Sequence, residues 1–478
     1  MEANRPRRPR DVVVRQPRTD QLEPTIAEEL PYRHPHQLFT TPLILAMGFA
    51  LFILITAFLL LLPVANTTNG FTAFDTAFFT ATSAVTVTGH VVVNTSSYWS
   101  TFGQVVIFIS MLVGGLSFMA IATFILALIG QRSSLSERLM IREAMGLDRL
   151  VGLRKIARNI VLIALLVYLI GAFCIFWRIQ GLDDMGLLES GWQSLFLSVS
   201  AFNNAGFSIL PDTVVEPGLH RMASDSYLLG FVMVLIVLGC IGWTVLVDIY
   251  KERRFSRFSL NTKLVIVTTI ALYIFGAAVF FLAELSNTML DVNLWDKLIS
   301  ASFHSISGRT AGFSTVNFSE TGDFTKLVYP ALMFIGGASG SVAGGIKVNT
   351  FAVIIAVVIS SIRSRPRAEA FGREIANAQV LRAITVAVLG VVFLLVIVPT
   401  LTITDPHIPF LNLLFDAVSA FSTNGTSTGI VPDLSLAGKI IFMLAMFIGR
   451  LGPLTLALAL VPSEQTLYRF AQERVTIG

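Results

Sequence analysis

The chain has 478 residues, of which 54% are hydrophobic and 13% charged, with a formal charge of +4. Soluble domains carry about 25% charged residues, so this composition nearly excludes a soluble enzyme and excludes disorder over most of the length. The two cysteines, Cys174 and Cys240, lie in apolar runs, which rules out a disulfide framework and any cysteine-based zinc site.

Residues 1–38 are rich in Arg and Pro and lack the apolar run of a secretory signal. They read as a disordered, basic cytoplasmic tail, with contact to anionic lipid or a partner as the sharper alternative. A spanning helix needs about 20 mostly apolar residues. Eight stretches qualify, at roughly 42–62, 102–130, 157–178, 227–249, 264–285, 327–360, 379–399 and 437–461. Half-length segments, too short and too interrupted to span, follow the first, third, fifth and seventh, at 71–93, 189–208, 294–314 and 411–429. The order is long, half, long, four times over.

Lys and Arg collect in the connections between these units, at 131–158, 250–264 and 361–382, and residues 63–101 hold none. The positive-inside rule places the connections and both termini in the cytoplasm. The half-length segments then enter and leave from outside.

Each half-length segment ends in a tetrad closed by glycine. The tetrads are Thr86-Val87-Thr88-Gly89, Asn203-Asn204-Ala205-Gly206, Arg309-Thr310-Ala311-Gly312 and Ser422-Thr423-Asn424-Gly425. The glycines are 117, 106 and 113 residues apart. A second small-residue cluster follows each: Gly114-Gly115, Gly239 with Gly242, Gly336-Gly337 and Gly449 with Gly452. Non-helical backbone at membrane depth is tolerated only where protein buries it or it lines a watery cavity. Four copies suggest a ring around one axis. Glycine lets the backbone approach the centre, and inward carbonyls can replace the hydration shell of a monovalent cation. The tetrads contain no Asp or Glu, which argues against a carboxylate ring for Ca²⁺. The alternative is that these glycines only permit close helix packing.

With TSAVTVTG (82–89), SAFNNAGFS (200–208), GRTAGFST (308–315) and GGASGSVAGGIK (336–347), the chain resembles the Trk/Ktr/HKT superfamily of potassium transporters. Within it, the likeness is greatest to the bacterial Ktr-type membrane subunit, KtrB. The resemblance implies an all-α integral membrane protein with eight transmembrane helices in four helix–pore loop–helix repeats around a single pseudo-fourfold pore. The expected boundaries are 1–38 for the tail, 39–130, 131–250, 251–362 and 363–462 for the repeats, and 463–478 for a cytoplasmic C-terminal tail. The four tetrads would form the selectivity filter, with K⁺ as the transported ion. A serine in place of the first glycine goes with sodium preference in this superfamily, so Gly89 favours potassium. Sodium conduction or sodium coupling within the same superfamily is the alternative. Two departures stand beside the filter: STNGTSTG, with Asn424 and Thr426 in usually apolar positions, and His90, read either as titratable or as a solvated vestibule residue.

In the sixth stretch, Gly336, Gly337, Gly340, Gly344 and Gly345 make a poor helix, and Ser339 and Ser341 can satisfy freed backbone groups. The resemblance implies an intramembrane gate loop over 336–347; the alternative is a small-residue packing ladder. Arg450, inside the eighth stretch, is either a fixed charge beside the conduction path or a structural ion pair or carbonyl clamp. Lys347 either holds the lower end of the loop or snorkels to the cytoplasm. Asp75, Glu189, Asp296 and Asp416 precede the four glycines and are read as acids at the starts of pore helices. The six histidines show no metal-ligand spacing within a stretch, so no enzymatic activity and no cofactor are expected. No nucleic-acid partner is expected either. The resemblance further implies a homodimer and a separate, KtrA-like cytoplasmic ring that carries the regulatory nucleotide, with membrane lipid around the subunit.

Overall fold

A computed structural model describes residues 41–68, 70–116, 153–180, 186–210, 219, 222–290 and 293–452. The described residues form one compact unit. Its principal helices are α1 (Thr41–Leu61), α2 (Phe74–Thr86), α3 (Thr101–Gly115), α4 (Leu153–Ile179), α5 (Leu187–Phe202), α6 (Ser226–Ile241), α7 (Trp243–Glu252), α8 (Leu260–Glu284), α9 (Leu294–Ser307), α10 (Asp323–Phe334), α11 (Val348–Ile362), α12 (Asn377–Thr404), α13 (Phe410–Ser422) and α14 (Leu436–Leu451). A two-residue hairpin, β1 (Glu369–Ala370) with β2 (Arg373–Glu374), joins α11 to α12. Several helices open on a side-chain cap. Ser100, Asp225, Ser259, Asn293 and Ser435 each accept a backbone N–H from the first turn, satisfying donors that the helix itself leaves without partners.

Among the described residues, Arg158–Ile179 of α4, α8 and α12 are each long and apolar enough to cross a membrane. Their outward faces carry Leu169, Phe173, Trp177, Ile274, Leu282, Leu395 and Val396, all exposed. A soluble protein would not present apolar surface on this scale. The half-length segments fold as the short helices α2, α5, α9 and α13, and these are the buried ones. Apolar clusters surround them, one built on α2 with α1 and α3 and another on α13 with α12 and α14.

One stretch expected to be continuous is not. The fourth bends by 95° between α6 and α7. Gly242 at the bend has φ +83°, and a Cβ there would meet the Ser339 carbonyl oxygen at 2.8 Å. Residues 338–340 pack against the turn there. The sixth stretch is interrupted: α10 stops at Phe334 and α11 starts at Val348. The two terminal tails, the first part of the 131–158 connection and the far ends of the second and eighth stretches lie outside the described residues.

The connection after α12 is held by one carboxylate. Asp405 is fully buried and accepts from the Ser435 N–H (2.6 Å), the Ser435 hydroxyl (3.1 Å) and the Thr404 hydroxyl (2.7 Å). Burial works to raise its pKa, but these hydrogen bonds outweigh it and hold the carboxyl below its usual range. A depressed carboxylate stabilises the fold above its unfolded-state pKa and loses that contribution as pH falls through the folded value. Asp405→Ala should therefore cost about 1–3 kcal/mol at neutral pH. The thermal midpoint of purified protein in detergent would drop accordingly, and the gap to wild type would narrow in strong acid.

Candidate functional site

The C-terminal ends of the short buried helices α2, α5, α9 and α13 share one backbone pattern. Two residues before each glycine stands a residue in the left-handed region: Val87 (φ 57°), Asn204 (55°), Thr310 (79°) and Thr423 (51°). The glycines follow at φ 95°, 71°, 79° and 91° for Gly89, Gly206, Gly312 and Gly425. A left-handed conformation costs a non-glycine residue about 1–2 kcal/mol, and it recurs in all four turns. Each turn hangs from a serine carbonyl on its helix. Thr88 N–H donates to Ser83 (2.8 Å), Ala205 to Ser200 (2.8 Å), Ala311 to Ser307 (2.9 Å) and Asn424 to Ser419 (2.9 Å). The Gly89 and Gly425 N–H groups are also taken by the Ser83 and Ser419 hydroxyls, at 3.0 and 3.1 Å. These serines were not among the expected site residues. Their signal is a Ser six positions before the glycine in three of the four units.

The turns meet in a closed ring. A Cβ on Gly89 would strike the Ala205 carbonyl oxygen and lie 3.1 Å from the Gly206 Cα. One on Gly206 would lie 3.0 Å from the Ala311 oxygen and 3.4 Å from the Gly312 Cα. One on Gly312 would strike the Asn424 oxygen, 3.3 Å from the Gly425 Cα. One on Gly425 would strike the Thr88 oxygen and lie 3.1 Å from the Gly89 Cα. The chain of contacts thus returns to its start. All sixteen tetrad residues are buried. Among the described residues, no donor reaches the carbonyls of 87–89, 204–206, 310–312 or 423–425. Buried carbonyls without a partner are costly in a protein interior, so their concentration here marks a polar site rather than a packing seam.

Several tetrad side chains bond to the surrounding scaffold. Asn203 donates to the Met111 carbonyl (3.2 Å) and accepts from the Tyr168 hydroxyl (2.8 Å). Asn204 donates to Cys240 Sγ (2.8 Å). The Thr86 hydroxyl is shared between the Thr82 carbonyl and the Thr88 hydroxyl, both at 2.7 Å. Asn424 Nδ2 donates to the Thr426 hydroxyl (2.8 Å), and Ser422 Oγ donates to the Val418 carbonyl (2.6 Å). Arg309, fully buried, donates from Nη2 to the Gly336 carbonyl (2.7 Å) and from Nε to that of Ile335 (3.4 Å). Its guanidinium lies 4.8 Å from the Tyr273 ring centroid. A residue assigned from sequence to the ring thus reaches with its side chain into the interrupted sixth stretch.

That stretch, residues 335–347, is irregular backbone held by other elements. Ala338 N–H donates to the Cys240 carbonyl (2.9 Å), Val342 to Gly239 (3.3 Å), Gly336 to Ile346 (2.8 Å) and Val348 to Gly337 (2.9 Å). Ser339 N–H donates to Asn349 Oδ1 (2.8 Å). Gly336, Gly340 and Gly344 do not share a helix, so no packing ladder forms here. Gly344 and Gly345 lie against Ser422 and Thr423, and Gly336 against Thr310, so the loop sits directly beside the third and fourth turns. Ser341 Oγ has no partner among the described residues. Lys347 donates to the Ala343 carbonyl within the loop. Arg450 bridges three backbone oxygens: those of Val342 in the loop, Gly114, and Gly115 at 3.4 Å. It pairs with no carboxylate among the described residues.

The second glycine clusters pack. A Cβ on Gly114, Gly239 or Gly449 would collide with the carbonyl of Val85, Phe202 or Phe421, respectively, each four residues before its ring glycine. Of the four acids, Asp75, Glu189 and Asp296 lie in first helical turns, and Asp75 pairs with Lys439 at 2.8 Å. Asp416 does not: it lies midway along α13, fully buried. His90 is not solvated. It is fully buried, edge-on to Phe442 at 5.8 Å.

A family described as TrkH, cation transport protein, matches residues 34–468. The chain is 37% identical to the Ktr system potassium uptake protein B of Bacillus subtilis, over 92% of this chain and 97% of that protein. It is 32% identical to the potassium/sodium uptake protein NtpJ of Enterococcus hirae, over 91% and 96%. The crystal structure of the potassium transporter TrkH from Vibrio parahaemolyticus superimposes with a TM-score of 0.68 at 18% identity, covering 90% of this chain and 87% of that one; it shares the fold. The chain belongs to the TrkH family of cation transport proteins, and its apolar helices make it a multi-pass membrane protein.

Proposed function

We propose that this chain is a potassium-uptake membrane subunit that conducts K⁺ through the ring of backbone carbonyls at the four tetrads. The observation that carries the reading is the closed succession Gly89–Gly206–Gly312–Gly425 with carbonyls that no donor among the described residues reaches. Oxygens presented this way replace water around a desolvated monovalent cation, and glycine keeps the centre clear of side chains. Left-handed residues alternate with residues of negative φ, which turns successive carbonyls toward one side. The relatives named for potassium uptake, at 32–37% identity over nearly the whole chain, support the same ion.

On this reading the chain has eight spans in four helix–pore loop–helix repeats, at 39–130, 131–250, 251–362 and 363–462, between cytoplasmic tails 1–38 and 463–478. Loop 336–347 is the gate, with Lys347 and Arg450 holding it. Both termini and the basic connections face the cytoplasm. Arg253, Arg254, Arg257, Arg365, Arg367 and Arg373 are exposed there and form a docking surface for a KtrA-like regulatory ring carrying the nucleotide. The membrane subunit acts as a homodimer.

Sodium conduction is the second reading, favoured by the E. hirae relative, whose name gives both ions. The deciding experiment is cation competition on the purified protein in liposomes. Uptake of a K⁺ tracer should be displaced by K⁺ and Rb⁺ at far lower concentration than by Na⁺ or Li⁺. Equal displacement by Na⁺ would overturn the potassium assignment, and no cation flux at all would overturn the pathway.

A further inference from the structure

The buried, mid-helix acid Asp416 has an unexpected counterpart. Its Oδ1 accepts the Thr428 N–H at 2.8 Å and the Thr428 hydroxyl at 3.2 Å, and its Oδ2 accepts the Ser427 hydroxyl at 2.7 Å. Thr428 is three residues past Gly425. In the third unit the residue three past Gly312 is Thr315, and its N–H points to His304 Nε2 at 3.3 Å. His304 Nδ1 lies 2.8 Å from the Ser300 carbonyl. A carbonyl only accepts, so Nδ1 carries the proton and Nε2 is the acceptor. His304 is fully buried and stacked on Phe280, with ring centroids 4.4 Å apart.

The two side chains sit at the same place on their pore helices. Asp416 is nine residues before its glycine and His304 is eight. The offset of one matches the turns themselves: Asn424 N–H reaches back five residues to Ser419, whereas Ala311 reaches back four to Ser307. The equivalents in the first two units are Thr80 and Leu197. The Thr80 hydroxyl has no partner among the described residues, and leucine has no acceptor. Among the described residues, the ring is therefore braced in this way on two of its four sides. Each brace is one pore-helix acceptor catching the main-chain N–H three residues beyond the glycine.

We propose that Asp416 and His304 are positioning residues that set cation preference by fixing the third and fourth ring strands against their own pore helices. This rests on the ring being the cation pathway. A carbonyl ring discriminates between K⁺ and Na⁺ through the number, spacing and stiffness of its oxygens. The segment leaving each glycine fixes where that glycine's carbonyl stands. Removing the acceptor leaves a buried N–H without a partner and frees the strand to shift.

The test compares K⁺ and Na⁺ flux in liposomes for matched pairs of variants. Asp416→Asn keeps an oxygen at Oδ1, and Asp416→Leu keeps the volume without an acceptor. Likewise His304→Gln keeps an acceptor, and His304→Phe keeps the stacked ring without one. The K⁺/Na⁺ preference should fall about tenfold in Asp416→Leu and His304→Phe, the scale of a lost hydrogen bond in a buried site. It should stay within about twofold of wild type in Asp416→Asn and His304→Gln. Thr80→Val, at the unbraced equivalent, should leave it unchanged.

An unchanged ratio in Asp416→Leu overturns the proposal, as does an equal loss in Asp416→Asn and Asp416→Leu. If Asp416→Leu does not yield monodisperse protein, the His304 pair decides on the same criteria. Gly425→Ala separates this failure from failure of the pathway reading. If it alters flux while the acceptor variants do not, only the bracing is wrong. If it too alters nothing, the ring is not the pathway.

Discussion

Gly425→Ala is expected to reduce K⁺-selective flux in proteoliposomes by about two orders of magnitude. Two costs combine. Gly425 has φ +91°, a conformation in which L-residues are strained by about 1–2 kcal/mol. A methyl there would also run into the Thr88 carbonyl oxygen and lie within 3.1 Å of the Gly89 Cα, and forcing one extra carbon into a packed site costs about 1–3 kcal/mol. Together these reach about 3 kcal/mol, or about a hundredfold at tenfold per 1.4 kcal/mol. The ring relieves the collision only by moving the first and fourth turns apart, which displaces the carbonyls themselves. Gly372→Ala is the matched control. Gly372 also has positive φ, at +72°, but nothing lies within 4 Å of a Cβ built there. It carries the backbone strain without the collision, so its flux should match wild type. Unchanged flux in Gly425→Ala would remove the ring from the conduction path.

Some of this arrangement can be read from the chain and some cannot, for reasons visible at particular residues. The long apolar runs at α4, α8 and α12 are legible because a membrane imposes a length on them. The four turns are legible because a positive-φ backbone selects glycine, and Gly89, Gly206, Gly312 and Gly425 therefore stand out at near-regular spacing. Direction is not legible. Hydropathy measures how apolar residues 227–249 are, and it is blind to the 95° bend at Gly242. At that bend Gly242 packs against Ser339 and Gly340, residues distant in the chain, a contact no local window contains. The tetrad around Arg309 shows where its backbone belongs, but not that its guanidinium reaches Gly336. Asp416 illustrates a third limit. Asp75, Glu189 and Asp296 are 14 to 17 residues before their glycines, whereas Asp416 is only nine. α13 begins at Phe410, so the acid falls on its second turn, where it serves the strand leaving the ring rather than the helix dipole. Spacing compared across the four units would have separated it from the others.

Arg450→Ala is expected to raise K⁺ flux in the absence of any regulatory partner, by up to about 30-fold. The side chain joins two pieces of backbone: the Val342 carbonyl in loop 335–347, and the Gly114 and Gly115 carbonyls at the end of α3. Hydrogen bonds from a charged donor are worth about 1.5–3 kcal/mol. Losing about 2 kcal/mol of hold on the loop shifts its released-to-held ratio about 30-fold. If the loop obstructs the pathway when held, that shift appears as flux. Arg450→Lys separates the clamp from the charge. Lysine keeps the positive charge, but one ammonium cannot span carbonyls on two separate segments as the planar guanidinium fork does. If holding the loop is what matters, Arg450→Lys behaves like Arg450→Ala. If the fixed charge itself limits ion passage, Arg450→Lys behaves like wild type. The bridging geometry favours the first outcome, and a wild-type rate in Arg450→Lys would assign the residue to electrostatics instead. Arg309 offers an internal check, because it grips the opposite end of the same loop at Ile335 and Gly336 while its own backbone forms part of the third turn. Movement of the loop away from Arg450 must therefore pull on, or pivot about, the turn that carries Gly312. Gating and ion preference should then shift together in Arg450→Ala, with Rb⁺/K⁺ discrimination changing alongside the rate.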